Sequence, residues 1–317
     1  MFRNFLLLRE RRESPGEQTM NVSCCFLYVI SKYGYPPSID DMCTCIGEIA
    51  GLGFKYLELE GIGDGHMGQV YTNRKKLKAL CDAQGMKIVN FGAMLPDMVA
   101  LDKKKQVTAL ATFEKAVELA NYFGAGMIQV DSFTPPLTFV GGEPYRKSIV
   151  YEQSYRIAVD PDFRWEDQWQ VIVRNIILCN TMAKRAGLRL VMEPRVGENI
   201  SNTDAMLRLL DAVNDENFGA VFDTGHQNAQ KEILPLSVEK LGRKIFYLHV
   251  ADNDGCTNKH LKPGDGTIDW EGLFTALKKH AFNGYVAVDV GNVGDVDTAY
   301  RESKAFLENL ARKIGME

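Results

Sequence analysis

The sequence predicts a single-domain (β/α)8 TIM barrel, for three reasons. Short, continuously apolar segments alternate with amphipathic ones through eight cycles, as strands buried on both faces alternate with covering helices. The cycles occupy nearly all of the 317 residues, a normal length for one closed barrel. The first apolar segment runs into "VISKYGYPPS", which lacks the glycine-rich phosphate turn that usually opens a doubly wound sheet.

In chain order, "NVSCCFLYVIS" reads as the first strand, and Ser38 opens an amphipathic helix over residues 38–52. "KYLELEG" is the second strand, with helical periodicity over 72–84. "MKIVNFGA" is the third, before a long helix through "KKKQVTALATFEKAVELANYFG". "GMIQVDS" is the fourth. An insertion over 132–165 separates it from the helix "WEDQWQVIVRNIILCNTMAKRAG". "LRLVMEP", "FGAVFDTG", "KIFYLHVADN" and "GYVAVDVG" are strands five to eight. The helices that follow them are "TDAMLRLLDAV", a short one near 235–242, "WEGLFTALKKHA" and "TAYRESKAFLENLARK". The insertion is aromatic and proline-bearing, which predicts a packed lid or partner surface.

Composition narrows the function. A hydrophobic fraction of 45% supports a large core, and a net charge of −4 speaks against nucleic-acid binding. No apolar run reaches the ~18 residues of a membrane span. The seven cysteines form no C-x-x-C pair, so reduced, mostly packed thiols of a cytoplasmic protein are expected. Residues 1–19, ahead of a second methionine at Met20, read as a peripheral extension that is not necessarily native. The barrel proper then covers 20–317.

"AVFDTGHQ" raises the functional question, because an apolar strand ends by placing Asp223 and then His226 at the edge of the core. In a barrel the site forms at the C-terminal ends of the strands. Strand two ends in Glu58 and Glu60, strand four in Asp131, and strand five in Glu193 and Arg195. Strand six ends in Asp223, with His226 in the next loop. Strand seven ends in His249, Asp252 and Asn253, and strand eight in Asp289. Any one of these residues could simply cap a helix or brace a loop. Glu58, Glu60 and Asp131 are read that way first, although Glu58 or Glu60 could reach the pocket. Glu193, Asp223, His249 and Asp289 fall one per strand on four successive strands. Three carboxylates brought together repel one another, and a divalent cation turns that repulsion into binding. Oxygen ligands with one imidazole suit Mn²⁺ or Mg²⁺, with Co²⁺ or Zn²⁺ also compatible.

"VMEPR", "VFDTGH", "LHVADNDG…H…PGDGTIDW" and "VAVDVG" resemble the xylose-isomerase-like barrel family of sugar epimerases and isomerases, which also includes AP endonucleases and ketose 3-epimerases. The likeness spans roughly residues 20–314 and is strongest over 187–291. It implies Glu193, Asp223, His249 and Asp289 as metal ligands, most simply for Mn²⁺. It makes Glu193 and Asp289 the acid/base pair and His226 a substrate contact. Arg195, His260 and Glu60 join that substrate-binding set. Asp289 stands where the epimerases usually carry glutamate. The arm is shorter by about 1.5 Å, one carbon–carbon bond, which weakens a symmetric two-base scheme.

The chemistry expected from this set is proton abstraction next to a carbonyl through a metal-bound enediolate, giving epimerisation or isomerisation of a sugar. Elimination is the alternative. The chain would then be the catalytic subunit of a C-glycoside deglycosidase acting on 3-oxo-glycosides with a small β-rich partner. In that case Trp165 and Trp169 would help cover a flat aglycone. An AP-endonuclease-like nuclease would need more than five histidines and a basic face. A non-catalytic barrel would bind no metal. The resemblance also implies a homo- or hetero-oligomer.

Overall fold

A computed structural model describes residues 20–140 and 156–316 of the chain. The extension 1–19 and the middle of the insertion lie outside the described residues. The strands are β1 (Asn21–Cys24), β2 (Tyr56–Ile62), β3 (Lys87–Met94), β4 (Met127–Asp131), β5 (Thr138–Phe139), β6 (Ile157–Ala158), β7 (Arg189–Glu193), β8 (Phe218–Asp223), β9 (Ile245–Val250) and β10 (Tyr285–Val288). All but β5 and β6 pair in parallel and close on themselves in the order β1-β10-β9-β8-β7-β4-β3-β2. This is the expected eight-stranded barrel. The antiparallel pair β5 and β6 forms a small hairpin at the two described ends of the insertion.

The helices are α1 (Leu27–Tyr33), α2 (Ile39–Gly51), α3 (Gly63–Ala83), α4 (Lys103–Phe123), α5 (Trp165–Arg185), α6 (Thr203–Val213), α7 (Thr224–Ala229), α8 (Leu234–Leu241), α9 (Trp270–Lys279) and α10 (Val296–Ile314). Their ends follow local chemistry. Ser38 and Asp41 form a reciprocal capping box at α2. Asn202, Asp269 and Asp295 each accept a first-turn amide at α6, α9 and α10. Gly124 closes α4 at φ 76°, a left-handed conformation that glycine adopts without strain.

Strand parity sorts the apolar side chains into two cores. Leu190, Met192, Phe222, Leu248, Val286 and Val288 point out against the helices. Val89, Met127, Val191, Val221, Tyr247 and Ala287 point into the barrel and plug its centre. The plug lets the interior turn polar one layer higher.

Several boundaries differ from expectation. The run "NVSCCFLYVIS" is strand only to Cys24, after which the chain bends over the rim into α1. A fully apolar run does not distinguish a buried strand from a buried helix. Helix α3 starts at Gly63 rather than near 72, because three early glycines disguise its first turns. His226 lies in the short helix α7, not in a loop. Glu58 and Glu60 sit inside β2 rather than at its end. Asp289 follows the last residue of β10. Trp165 and Trp169, offered above as an aglycone cover, stack with ring centroids 6.3 Å apart and pack against the core on α5. The Arg208 guanidinium lies 4.0 Å from the Trp169 ring.

Candidate metal centre

Each candidate ligand lies two residues beyond an inward-pointing apolar residue, and therefore on the same face of its strand. Val191 precedes Glu193, Val221 precedes Asp223, Tyr247 precedes His249 and Ala287 precedes Asp289. The ladder sets Asp223 beside His249. As a result, one ligand atom from each of Glu193, Asp223, His249 and Asp289 lies within 4.8 Å of every other. All four residues are buried. The sequence-derived set is one cluster at one mouth of the barrel.

The imidazole of His249 organises the cluster. Its Nδ1 is 2.8 Å from Glu193 Oε1 and 4.0 Å from Asp289 Oδ2, while its Nε2 is 2.9 Å from Glu58 Oε1. Burial opposes charge on this ring, yet Glu58 and Glu193 outweigh it and hold the pKa well above the usual histidine range. Asp289 Oδ2 lies 3.0 Å from His260 Nδ1. Burial again opposes charge on His260, and Asp289 overcomes it, raising the pKa to about 9. For Asp289, burial favours the neutral acid, but His260 and then His249 pull the pKa below the ordinary carboxylate value.

Asp223 shows the opposite imbalance. Its Oδ1 accepts the His226 amide at 2.6 Å, but its Oδ2 is buried without a hydrogen-bond partner among the described residues. Burial drives its pKa well up, with His260 pulling the other way but not offsetting it. An orphaned carboxylate oxygen facing two more carboxylates and an imidazole fits a divalent cation. Glu58 on Nε2 would fix the ring so that Nδ1 faces the ion, the usual outer partner of a ligating histidine.

Glu193, His249 and Asp289 line a cavity of about 330 Å³, and Asp223 lies beside them. The other residues assigned to substrate line it as well: Arg195, His226, His260 and Glu60. Arg195 Nη1 is 2.5 Å from Asp131 Oδ2, and its Nε is 3.8 Å from Glu193 Oε2. The Val196 amide donates to His226 Nδ1 at 3.3 Å, and burial, then His260 and Arg195, keep that ring neutral. Glu60 faces Gly92 across the ladder, where an added Cβ would lie 2.7 Å from Glu60 Cγ. Burial, then Glu58 and Asp131, raise the Glu60 pKa well above normal. The start of the insertion also reaches the cavity through Phe133, Pro136 and Leu137.

Asp252 and Asn253 have a different task. Asp252 accepts from Trp270 Nε1 at 2.9 Å and from the Gly264 amide at 2.9 Å, and Asn253 Nδ2 donates to Gly225 O at 2.8 Å. They pin the loop that carries His260.

Sequence reasoning undervalued three residues. Glu58 grips His249 across 191 positions of sequence. Gln129 takes a hydrogen bond from Asn90 at 2.8 Å and donates to Glu193 Oε2 at 3.3 Å. Buried Glu198 accepts from Ser132 at 3.1 Å, and burial and then Asp131 raise its pKa to about 8. The i, i+2 spacing of Met127 and Gln129 on the inward face was the available signal for Gln129.

A larger cavity of about 960 Å³ opens at the other end of the barrel, around Lys87, Arg189 and Phe246. It holds none of the cluster residues, and barrel chemistry is expected at the C-terminal mouth.

Comparison with known proteins agrees with the fold. Residues 46–310 match the model of the xylose isomerase-like TIM barrel family. An inosose dehydratase of Clostridium perfringens (strain ATCC 13124) is 23% identical over 77% of this chain and 80% of its own length. A probable ketose 3-epimerase of Synechocystis is 23% identical over 71% of each chain. Some matches are shorter, covering only 39% of a relative from Methanocaldococcus jannaschii. The apo structure of the E. coli 3-keto-D-glucoside 4-epimerase superposes with a TM-score of 0.71 at 18% identity, over 92% of this chain and all of that one. The chain belongs to the xylose isomerase-like TIM barrel family.

Proposed function

We propose that the protein is a divalent-metal-dependent sugar isomerase or epimerase that removes a proton next to a carbonyl. One observation supports this most: four possible ligand atoms within 4.8 Å of one another, from buried residues at one mouth of the barrel, one of these residues being a carboxylate with an oxygen that has no hydrogen-bond partner among the described residues. The relatives named above include an epimerase of a keto-glucoside and a probable ketose epimerase. Glu193, Asp223, His249 and Asp289 would hold the ion, with Mn²⁺ the best match and Mg²⁺ or Co²⁺ alternatives. A cation held there would supply Lewis acidity toward the carbonyl oxygen.

The protein's own groups do the rest. Glu193 takes the proton from the carbon beside the carbonyl, its Oε2 oriented by Gln129. The His260–Asp289 pair, whose proton rests on His260, returns a proton on the other face through Asp289 or a water. His226, Arg195, His260 and Glu60 orient the hydroxyls. Apolar Leu27, Ile30, Phe133 and Leu137 narrow water access.

Elimination is the second reading, and it starts from the same proton abstraction. A dehydratase among the relatives favours it, as does the His260–Asp289 pair, an acid placed to protonate a departing oxygen. The C-glycoside deglycosidase, with its small second subunit, is a special case of that branch. Incubation with ketoses and 3-oxo-glucosides in D₂O with Mn²⁺, followed by NMR, separates these outcomes. Deuterium at the carbon beside the carbonyl with an inverted or relocated centre supports the isomerase reading. An unsaturated product or a released aglycone shifts it to elimination. No exchange with any of these substrates would overturn both.

A further inference from the structure

Three polar side chains line the cavity and bond to nothing in the described protein. Gly34 closes α1 at φ 94°, a conformation suited to glycine, and the turn returns the chain to the mouth, where Tyr35 lines the cavity. Burial and then Glu60 keep the Tyr35 phenol protonated, and no hydrogen bond contributes. Glu60 lies two residues beyond Glu58 on the same face of β2, and it too has no hydrogen-bond partner among the described residues. Asn258 reaches the cavity from the loop between β9 and α9. It is 6% exposed, and its Oδ1 is buried without a partner among the described residues. The loop around it is fixed. Asp254 Oδ1 accepts the amides of Cys256 and Thr257 at 2.8 and 2.7 Å, and Asp252 and Leu261 exchange backbone hydrogen bonds at 2.9 Å. A buried amide oxygen left unpaired is costly, so its place at a cavity wall points to a ligand that pairs it.

The charges around the cavity narrow that ligand. Among the described residues, six carboxyl groups line it, against one lysine and one arginine. Both cations are committed: Lys105 to Asp97 at 3.4 Å and Arg195 to Asp131 at 2.5 Å. A phosphate on the ligand would therefore face carboxylates. A hydroxyl can donate to Glu60 or Asn258 and accept from Tyr35. We infer that Tyr35 and Asn258, together with Glu60, bind the hydroxyls of an uncharged sugar and that a phosphorylated sugar is excluded. This rests on the sugar chemistry proposed above, and it adds two substrate-binding residues to that site.

Full-length protein loaded with Mn²⁺ provides the test, by NMR of deuterium exchange in D₂O. The probes are the free ketohexoses and 3-oxo-glucose, each beside its 6-phosphate. The wild type should exchange a free sugar with kcat/KM about 100-fold or more above that of its phosphate. Tyr35→Phe and Asn258→Ala should each raise KM for that sugar roughly 2–10-fold, with kcat within a few-fold of wild type. Tyr35→Phe should also keep the wild-type urea midpoint, because the hydroxyl bonds nothing in the described protein. An unchanged KM in either variant, or a 6-phosphate turned over as well as the free sugar, would overturn the inference and leave the reaction standing. No exchange with any of these sugars would overturn the sugar reading together with it.

Discussion

The two halves of the barrel use one repeating unit for different work. From β7 to β10, each strand contributes one inward side chain that converges on a single point: Glu193, Asp223, His249, then Asp289. From β2 to β4, inward polar residues at similar height do not join that point. Glu58 holds the far nitrogen of His249, and Gln129 holds the far oxygen of Glu193. Asp131 holds Arg195, and Glu60 faces the open cavity. The later half would bind the ion, while the earlier half orients the ligands and shapes the wall. Parity places a side chain in the mouth. What it does there depends on which neighbour across the barrel has an atom left to satisfy.

Mutations can break or sharpen that contrast. The largest effect is expected for Glu193→Gln in the later half, which should lower kcat by about 10²–10⁴-fold or more, measured by polarimetry on an accepted sugar at saturating Mn²⁺. Unchanged turnover would remove Glu193 as the base. Glu58→Gln in the earlier half should behave differently. Its metal affinity should fall about 10–100-fold, read by competition with a chelating dye, while kcat at saturating metal stays within a few-fold of wild type. An equal loss of kcat would place Glu58 in the reaction itself and erase the distinction between the halves.

Smaller effects probe the wall. Gly92→Ala puts a Cβ 2.7 Å from Glu60 Cγ. The crowding should cost about 1–3 kcal/mol in urea unfolding and raise KM without moving metal affinity. Trp169→Ala should cost about 1–3 kcal/mol, mainly through lost packing and the Arg208 contact, with KM unchanged. A large rise in KM would return this tryptophan to the substrate.

These differences explain what could be read from the chain. The barrel was legible because each strand is a short apolar run between turn signals and each helix has its own periodicity. The four-residue cluster was legible because Glu193, Asp223, His249 and Asp289 each close an apolar run with a polar residue at the expected end. The bend after Cys25 was hidden, since "CCFLYVIS" is equally apolar as strand or helix. The first turns of α3 were masked by Gly63, Gly65 and Gly68. Glu58 could not be assigned from spacing, because its task is defined by His249 on a distant strand. Trp165 and Trp169 misled because an aromatic pair beside an insertion does not reveal which side of its helix is covered.

Equilibrium dialysis of metal-free protein against Mn²⁺, wild type beside Asp223→Asn, tests the convergent cluster most directly. Asparagine keeps an oxygen for the His226 amide and removes the charge. The expected result is one ion per wild-type chain, with affinity reduced more than about 100-fold in the variant, beyond the effect of losing an outer partner. No binding by the wild type, or equal binding by both proteins, would contradict a cation centre built from Glu193, Asp223, His249 and Asp289.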